Sequence, residues 1–199
     1  AKKKGILVGI FIAIHTAGRD LQWHPHIHLS VTMGGIYEKT DDWKPLRFSK
    51  KMIMPMWRYA VISMFRQAKN DGLIDCDNAL LTKQYNRPWI IHCSKPTNNP
   101  WPTISYLGRY LKRPPFAMSR LIHYDGKRIV FDYLNHRLNK HQTLEMDIDH
   151  FLYLFTQHIP EKNFRLIRYY GFLANRVRTD RLKQVYKLLE QEVSLRKYL

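Results

Sequence analysis

Residues 21–33 read LQWHPHIHLSVTM, and the order of residue types in that stretch governs the reading of the rest of the chain. Successive side chains on a strand alternate between faces, so residues two apart share one. His26 and His28 therefore point the same way, His24 has the same parity, and Ile27 is expected to anchor the strand in the core. Imidazoles roughly 6–7 Å apart at Cα can close on one divalent cation. Pro25 cannot donate to a ladder, so the strand begins near it or lies at an edge, a geometry that bends His24 toward the same ion. His15, just past the end of the preceding strand, is a further candidate for a third ligand. Placing so many polar rings on one face without a partner costs several kcal/mol, which favours a metal over ordinary core histidines.

Working outward, Ile6, Val8, Ile10, Ile12 and Ile14 recur at every second position, as in a buried strand. Thr16–Asp20 reads as a turn, and Gly34-Gly35 ends the second strand. The two strands are expected to pair as an antiparallel hairpin across the connection His15–Gln22. Residues 52–70 predict a helix with Pro55 in its first turn and Asp71-Gly72 at its stop. Residues 88–93 (PWIIHC) read as a third strand, and residues 103–112 as a helix stopped by Pro114-Pro115. A hairpin follows over residues 119–134 around Asp125-Gly126-Lys127, then a helix near residues 148–158. The tail carries Leu182, Val185, Leu188 and Leu189 at helical spacing. Strands mixed with helices in this way predict an α+β fold, a mostly antiparallel central sheet flanked by helices. The expected division is a domain over residues 1–178 and a helical extension over residues 179–199.

Composition narrows the function. Lys plus Arg total 33 against 16 Asp plus Glu, a formal net charge of +17, while 45% apolar residues supply a packed core and exclude a disordered basic tail. With 13% aromatic residues, cations for phosphates and rings for bases are both abundant, which points to nucleic acid. Two cysteines, Cys76 and Cys93, exclude a disulfide-rich scaffold and a four-cysteine zinc finger. The longest apolar run, Gly5–Ile14, has about half the ~20 residues that a membrane span needs. Because the chain starts at Ala1 rather than Met, a piece of a longer, cytoplasmic protein is expected.

A second signal is Tyr106-Leu107-Gly108-Arg109-Tyr110. Tyrosines at i and i+4 lie on one helix face. Arg109, Lys112 and Arg113 crowd the same turn, so the two phenols sit among phosphate-binding cations. A phenol is a poor nucleophile at its free pKa near 10. Nearby cations favour the phenolate, and a metal polarising the scissile phosphate lowers what the nucleophile must supply. Other metal hydrolases fit less well. No carboxylate follows His28, as a His-x-His-x-Asp-His site requires, and the chain is too short for an eight-stranded barrel. Arg168, Tyr169, Tyr170, Arg176 and Arg178 combine cations with rings, which suits equally a single-strand path with base stacking and a solvated face beside core tyrosines. Tyr133 and Tyr153 read as packing residues, and His123, His136, His141, His150 and His158 as surface or ordinarily hydrogen-bonded ones.

Together these residues resemble the HUH endonucleases, and within them the two-tyrosine rolling-circle transposases of the insertion sequence 91 family. The likeness runs through His15-Thr16-x-Gly18-Arg19, His24-Pro25-His26-Ile27-His28, Gly34-Gly35, Trp89-Ile90-Ile91 and Lys95-Pro96. It continues through Tyr106-Leu107-Gly108-Arg109-Tyr110, Arg120-Leu121 and Arg168-Tyr169-Tyr170-Gly171. The resemblance implies a bacterial enzyme, at work on the nucleoid, that nicks one DNA strand and holds it as a 5′-phosphotyrosine. Tyr106 and Tyr110 match the nucleophiles and His26 and His28 the metal pair, with Mg²⁺ or Mn²⁺ as cofactor. The third ligand is not set by the motif: His24 ranks first, His15 second, and Gln22 and His92 stay open. Single-stranded transposon ends and target would meet Arg109, Lys112, Arg113, Arg120, Arg168, Tyr169 and Arg176. The family's cysteine-rich zinc-binding region is expected to lie upstream of Ala1. A plasmid or phage replication initiator, or a relaxase, would use the same constellation. A non-catalytic basic binder with a structural metal is the reading from a different class.

Overall fold

The computed structural model describes residues 4–94, 108, 114–135 and 138–190. It shows an α+β fold with antiparallel sheets. Strands β1 (Ile6–Ala17), β2 (Trp23–Tyr37) and β3 (Trp43–Pro45) come first. Helices α1 (Lys50–Asn70) and α2 (Asn78–Lys83) follow, then strands β4 (Leu121–Tyr124), β5 (Arg128–Asn135) and β6 (Lys140–Asp147). Helix α3 (Ile148–Thr156), strand β7 (Ile167–Gly171) and helix α4 (Arg178–Leu188) complete the order. One sheet runs β3-β2-β1-β7 and the other β4-β5-β6. The chain forms two compact units, residues 45–96 and the remainder.

The four-stranded sheet depends on close backbone approach. A Cβ on Gly35 would stand 2.3 Å from the Leu7 carbonyl oxygen, and one on Gly171 only 1.6 Å from that of Val8. Gly171 also has φ +64, the left-handed region that side chains disfavour. Gly34-Gly35 therefore does not end β2 as expected; the strand passes through to Tyr37, with Gly35 admitting the Leu7 backbone and Gly34 the Trp43 ring. Between Val8 and Ile10 the β1–β2 register shifts, so Thr32, Met33 and Gly34 oppose Gly9 alone. The Thr32 hydroxyl fills the gap in the ladder by accepting from the Gly9 N–H at 3.0 Å and donating to the Gly34 carbonyl at 2.7 Å. Leu7 packs with Ile36, Phe172 and Val185, which brings α4, the start of the expected extension, into this core.

The second core joins the three-stranded sheet to α3. Leu21, Phe116, Ile129, Phe131, Phe151 and Leu154 are buried together. Leu21 comes from the β1–β2 connection and is fully buried with φ +64, a strained backbone state held by its surroundings. In the β4–β5 turn, Asp125 accepts from the Arg128 N–H at 2.7 Å and the Lys127 N–H at 2.9 Å. Those backbone donors hold its carboxyl below the usual carboxylate range.

The other unit carries α1, capped by the Ser49 hydroxyl accepting from the Met52 N–H. Its end is a Schellman turn, with the Leu73 N–H on the Ala68 carbonyl, the Gly72 N–H on that of Lys69, and Gly72 at φ +69. Because the cap is Ser49, Pro55 sits inside the helix rather than in its first turn. Residues 88–94 are not a strand: Pro88 offers no ladder donor, and Ile90 is 80% exposed. The expected helix at residues 103–112 lies outside the described residues except Gly108, which is helical. Strands β6 and β7 and helix α2 add to the elements read from sequence.

Gly171→Ala is expected to cost about 3 kcal/mol or more in urea unfolding, since left-handed strain and a backbone clash act together. Gly72→Ala meets open space and should cost about 1 kcal/mol. Equal, small effects would contradict the close approach at β7.

Candidate metal centre and nucleic-acid surface

The β1–β2 register sets the site. His15 stands directly opposite His26, and Ala13 opposite His28. Opposed residues of an antiparallel pair project to the same face, so three imidazoles share it. Their ring centroids form a near-equilateral triangle, 5.4 Å for His15–His26, 4.9 Å for His15–His28 and 5.1 Å for His26–His28. One ring nitrogen from each lies within 4.8 Å of the others, and all three residues are half-buried. Two ligands on one ion with bonds of about 2.1 Å stand no more than about 4.2 Å apart, so small torsional shifts would complete the closure.

A second irregularity explains which histidines meet. After His15↔His26 the next pair is Ala17↔Trp23, so His24 and Pro25 oppose Thr16 alone. Such a bulge interrupts the alternation, and Pro25 has no N–H to leave unpaired there. His24, ranked first from sequence, is exposed and outside the three-residue group, although its ring is 5.3 Å from that of His26. His15, ranked second, is inside it. The backbone of His24 has a different part: its carbonyl accepts from His26 Nδ1 at 2.7 Å. A carbonyl can only accept, so Nδ1 carries the proton and, in the neutral ring, Nε2 keeps its lone pair. This is the usual way an imidazole is oriented toward a metal, and the donor set fits a divalent cation. Gln22 and His92 are exposed.

The apolar half of the β2 alternation does not behave as expected. Ile27 is 41% exposed rather than anchored in a core, because the buried residues of β1 beyond Gly9 are Phe11 and Ala13, on the histidine face. Ile10, Ile12 and Ile14 are correspondingly half-buried.

Among the residues read as contacting DNA, Arg168, Tyr169 and Arg176 are exposed. Tyr169 packs edge-on against Phe11, and the Arg178 guanidinium lies 5.9 Å from its ring centre. Arg120 is engaged by the fold. It donates to the carbonyls of Asp132 and Arg19 and lies over Phe116 and Phe131. Tyr106, Arg109, Tyr110, Lys112 and Arg113 lie outside the described residues. His158 is buried with both ring nitrogens hydrogen-bonded, as an ordinary core histidine would be.

Comparison with known proteins gives the context. A family model described as "Putative transposase" matches residues 9–181. The chain is 44% identical, over 96% of its length, to the transposase for insertion sequence element IS801 of Pseudomonas savastanoi pv. phaseolicola, covering 49% of that protein. It is 28% identical, over 95% of its length, to "Putative transposase y4qJ" of Sinorhizobium fredii (strain NBRC 101917 / NGR234), covering 52% of it. The chain thus spans about half the length of these curated relatives. No solved structure matches it significantly.

Titration calorimetry with Mn²⁺ should separate the histidines. His15→Ala, His26→Ala and His28→Ala are each expected to weaken binding about tenfold or more. His24→Ala keeps the backbone carbonyl on His26 and should weaken it less than about threefold. The reverse order for His15 and His24 would contradict the geometry.

Proposed function

The chain belongs to this transposase family, the insertion sequence 91 group, and we propose that it nicks and rejoins single-stranded DNA through a 5′-phosphotyrosine intermediate in rolling-circle transposition. The observation that carries the reading is the triangle of His15, His26 and His28 on one sheet face. A transposase acts on DNA, and the net charge of +17 suits a polyanionic substrate. Among the described residues no helix is long and apolar enough to cross a membrane.

In this proposal His15, His26 and His28 hold the cation, and the all-imidazole set favours Mn²⁺ over the harder Mg²⁺. The bound ion supplies polarisation of the scissile phosphate. Arg109, Lys112 and Arg113 stabilise phenolate at Tyr106 or Tyr110, which stand four residues apart in the sequence. The phenolate oxygen bonds to phosphorus, the bond from phosphorus to the 3′-oxygen breaks, and that oxygen takes up a proton. The strand's 5′-phosphate stays on the tyrosine while a 3′-hydroxyl is freed. Because the tyrosyl ester keeps the phosphodiester's energy, a second 3′-hydroxyl can reverse the step without ATP. Two tyrosines four residues apart in the sequence permit two successive transfers. Arg168, Tyr169 and Arg176 offer exposed cations and a ring along which the strand can run. The names of both relatives favour transposition over replication initiation or conjugative relaxation.

Incubation with Mn²⁺ and a labelled single-stranded element end should yield a protein–DNA adduct stable to denaturing electrophoresis. Tyr106→Phe combined with Tyr110→Phe should abolish it, and chelation should stop it while leaving the circular dichroism of the fold in place. An adduct that survives loss of both phenols would contradict the mechanism. A domain that unfolds on chelation, with no adduct formed, would favour the non-catalytic binder with a structural ion.

A further inference from the structure

A second feature lies along β2, three residues before His26. A cavity of about 240 Å³ opens between the β1–β2 connection and the end of α3, lined by Gln22, Trp23, Tyr153, Gln157 and His158 over buried Leu154. Its two large rings stay accessible: Trp23 is 60% exposed and Tyr153, expected to pack, is 61% exposed. Single exposed rings are common on proteins, but two beside one cavity call for an occupant.

The base of the cavity is fixed. The Trp23 ring stacks on the His158 ring, with centroids 5.8 Å apart and planes 5° from parallel. His158 Nε2 donates to the Leu21 carbonyl at 2.8 Å, so in the neutral ring Nδ1 accepts from the Thr16 hydroxyl at 3.0 Å. Trp23 is thus backed by an immobile ring tied to both sides of the β1–β2 connection.

The lining also limits the ligand. Among the described residues it contains no Lys, Arg, Asp or Glu, so none of them would hold a phosphate or an ammonium group there. It does contain two side-chain amides, Gln22 and Gln157, each carrying donors and an acceptor. Both residues are exposed, and among the described residues neither amide is engaged by another protein group. Flat rings beside neutral donor and acceptor pairs suit a neutral planar heterocycle whose edge carries both kinds of group. We infer that this cavity takes one unpaired nucleobase of the DNA strand, stacked on Trp23 or Tyr153 and read at its edge by Gln157 and Gln22. The inference deepens the single-strand reading above and rests on it. A base seated here would hold the strand in register a few residues from the histidine cluster, so the cavity is a specificity site rather than part of the chemistry.

The test uses fluorescence anisotropy with labelled homopolymers of deoxythymidine, deoxyadenosine and deoxycytidine. It is run in chelator, on a background of Tyr106→Phe and Tyr110→Phe. Stacking contributes about 1–3 kcal/mol per base, so Trp23→Ala and Tyr153→Ala should each weaken single-strand binding about tenfold. Trp23→Phe keeps a ring and should stay within about threefold, which separates stacking from misfolding. Gln157→Ala should change the ranking of the three homopolymers, and binding of a duplex should change less than about twofold in every variant. Free nucleoside monophosphates should displace the strand only in large excess. The inference is overturned if both alanine variants bind as the parent does, if duplex binding falls by the same factor, or if free nucleotides compete as well as the strand. Neither metal nor tyrosine chemistry enters this assay, so loss of the nicking proposal leaves its result standing. A null result alongside intact nicking removes the base pocket alone.

Discussion

The register between β1 and β2 is the constraint on which the site depends. Because side chains alternate with a period of two, a slip of one residue would send His15 to the face opposite His26 and His28. Two bulges bracket the functional segment and hold that register. At one end the Thr32 hydroxyl substitutes for a missing ladder partner at Gly9, and at the other Pro25 occupies a position that needs no N–H. Between them the pairing is regular, from Ile10↔Val31 to His15↔His26. Three histidines converge because the irregularities fall on either side of them.

The surroundings of the hairpin reinforce this arrangement from three directions. On the far edge of β1, β7 comes close enough that Gly171 tolerates no side chain. At the closed end, Leu21 is buried in the core of the second sheet, and His158 ties its carbonyl to Thr16, the neighbour of His15. At the open end, α4 packs Val185 onto Ile36 and Phe172. The segment carrying the imidazoles is therefore pinned by packing and hydrogen bonds, so the proposed binding of an ion there would require little reorganisation.

Much of this was legible in the sequence, and the exceptions have physical causes. The hairpin, α1, the β4–β5 turn and α3 follow from periodicity and from turn residues. The parity of His26 and His28 follows from the strand alone. The third histidine did not, because it depends on a bulge: strict alternation puts His24 with the pair, and two residues opposing one removes it. Pro25 sits in the bulge that takes His24 out of the regular alternation. The glycine pair at residues 34–35 resembles punctuation, whereas it lies inside a strand, where Gly35 meets the Leu7 backbone and Gly34 the Trp43 ring. Strand β7 escaped because Arg168-Tyr169-Tyr170 is mostly exposed and shows no apolar alternation. Tyr153 and His158 belong to a cavity closed by the β1–β2 connection, a tertiary juxtaposition that local pattern does not encode.

Counting the imidazole nitrogens on a bound ion tests this geometry most directly. Pulsed electron paramagnetic resonance on the Mn²⁺-loaded chain should resolve three coordinated imidazoles, from His15, His26 and His28. Replacing His15 by alanine should leave two, and replacing His24 should still leave three. Two imidazoles in the parent chain that persist without His15, or a signal that falls when His24 is replaced, would contradict the account.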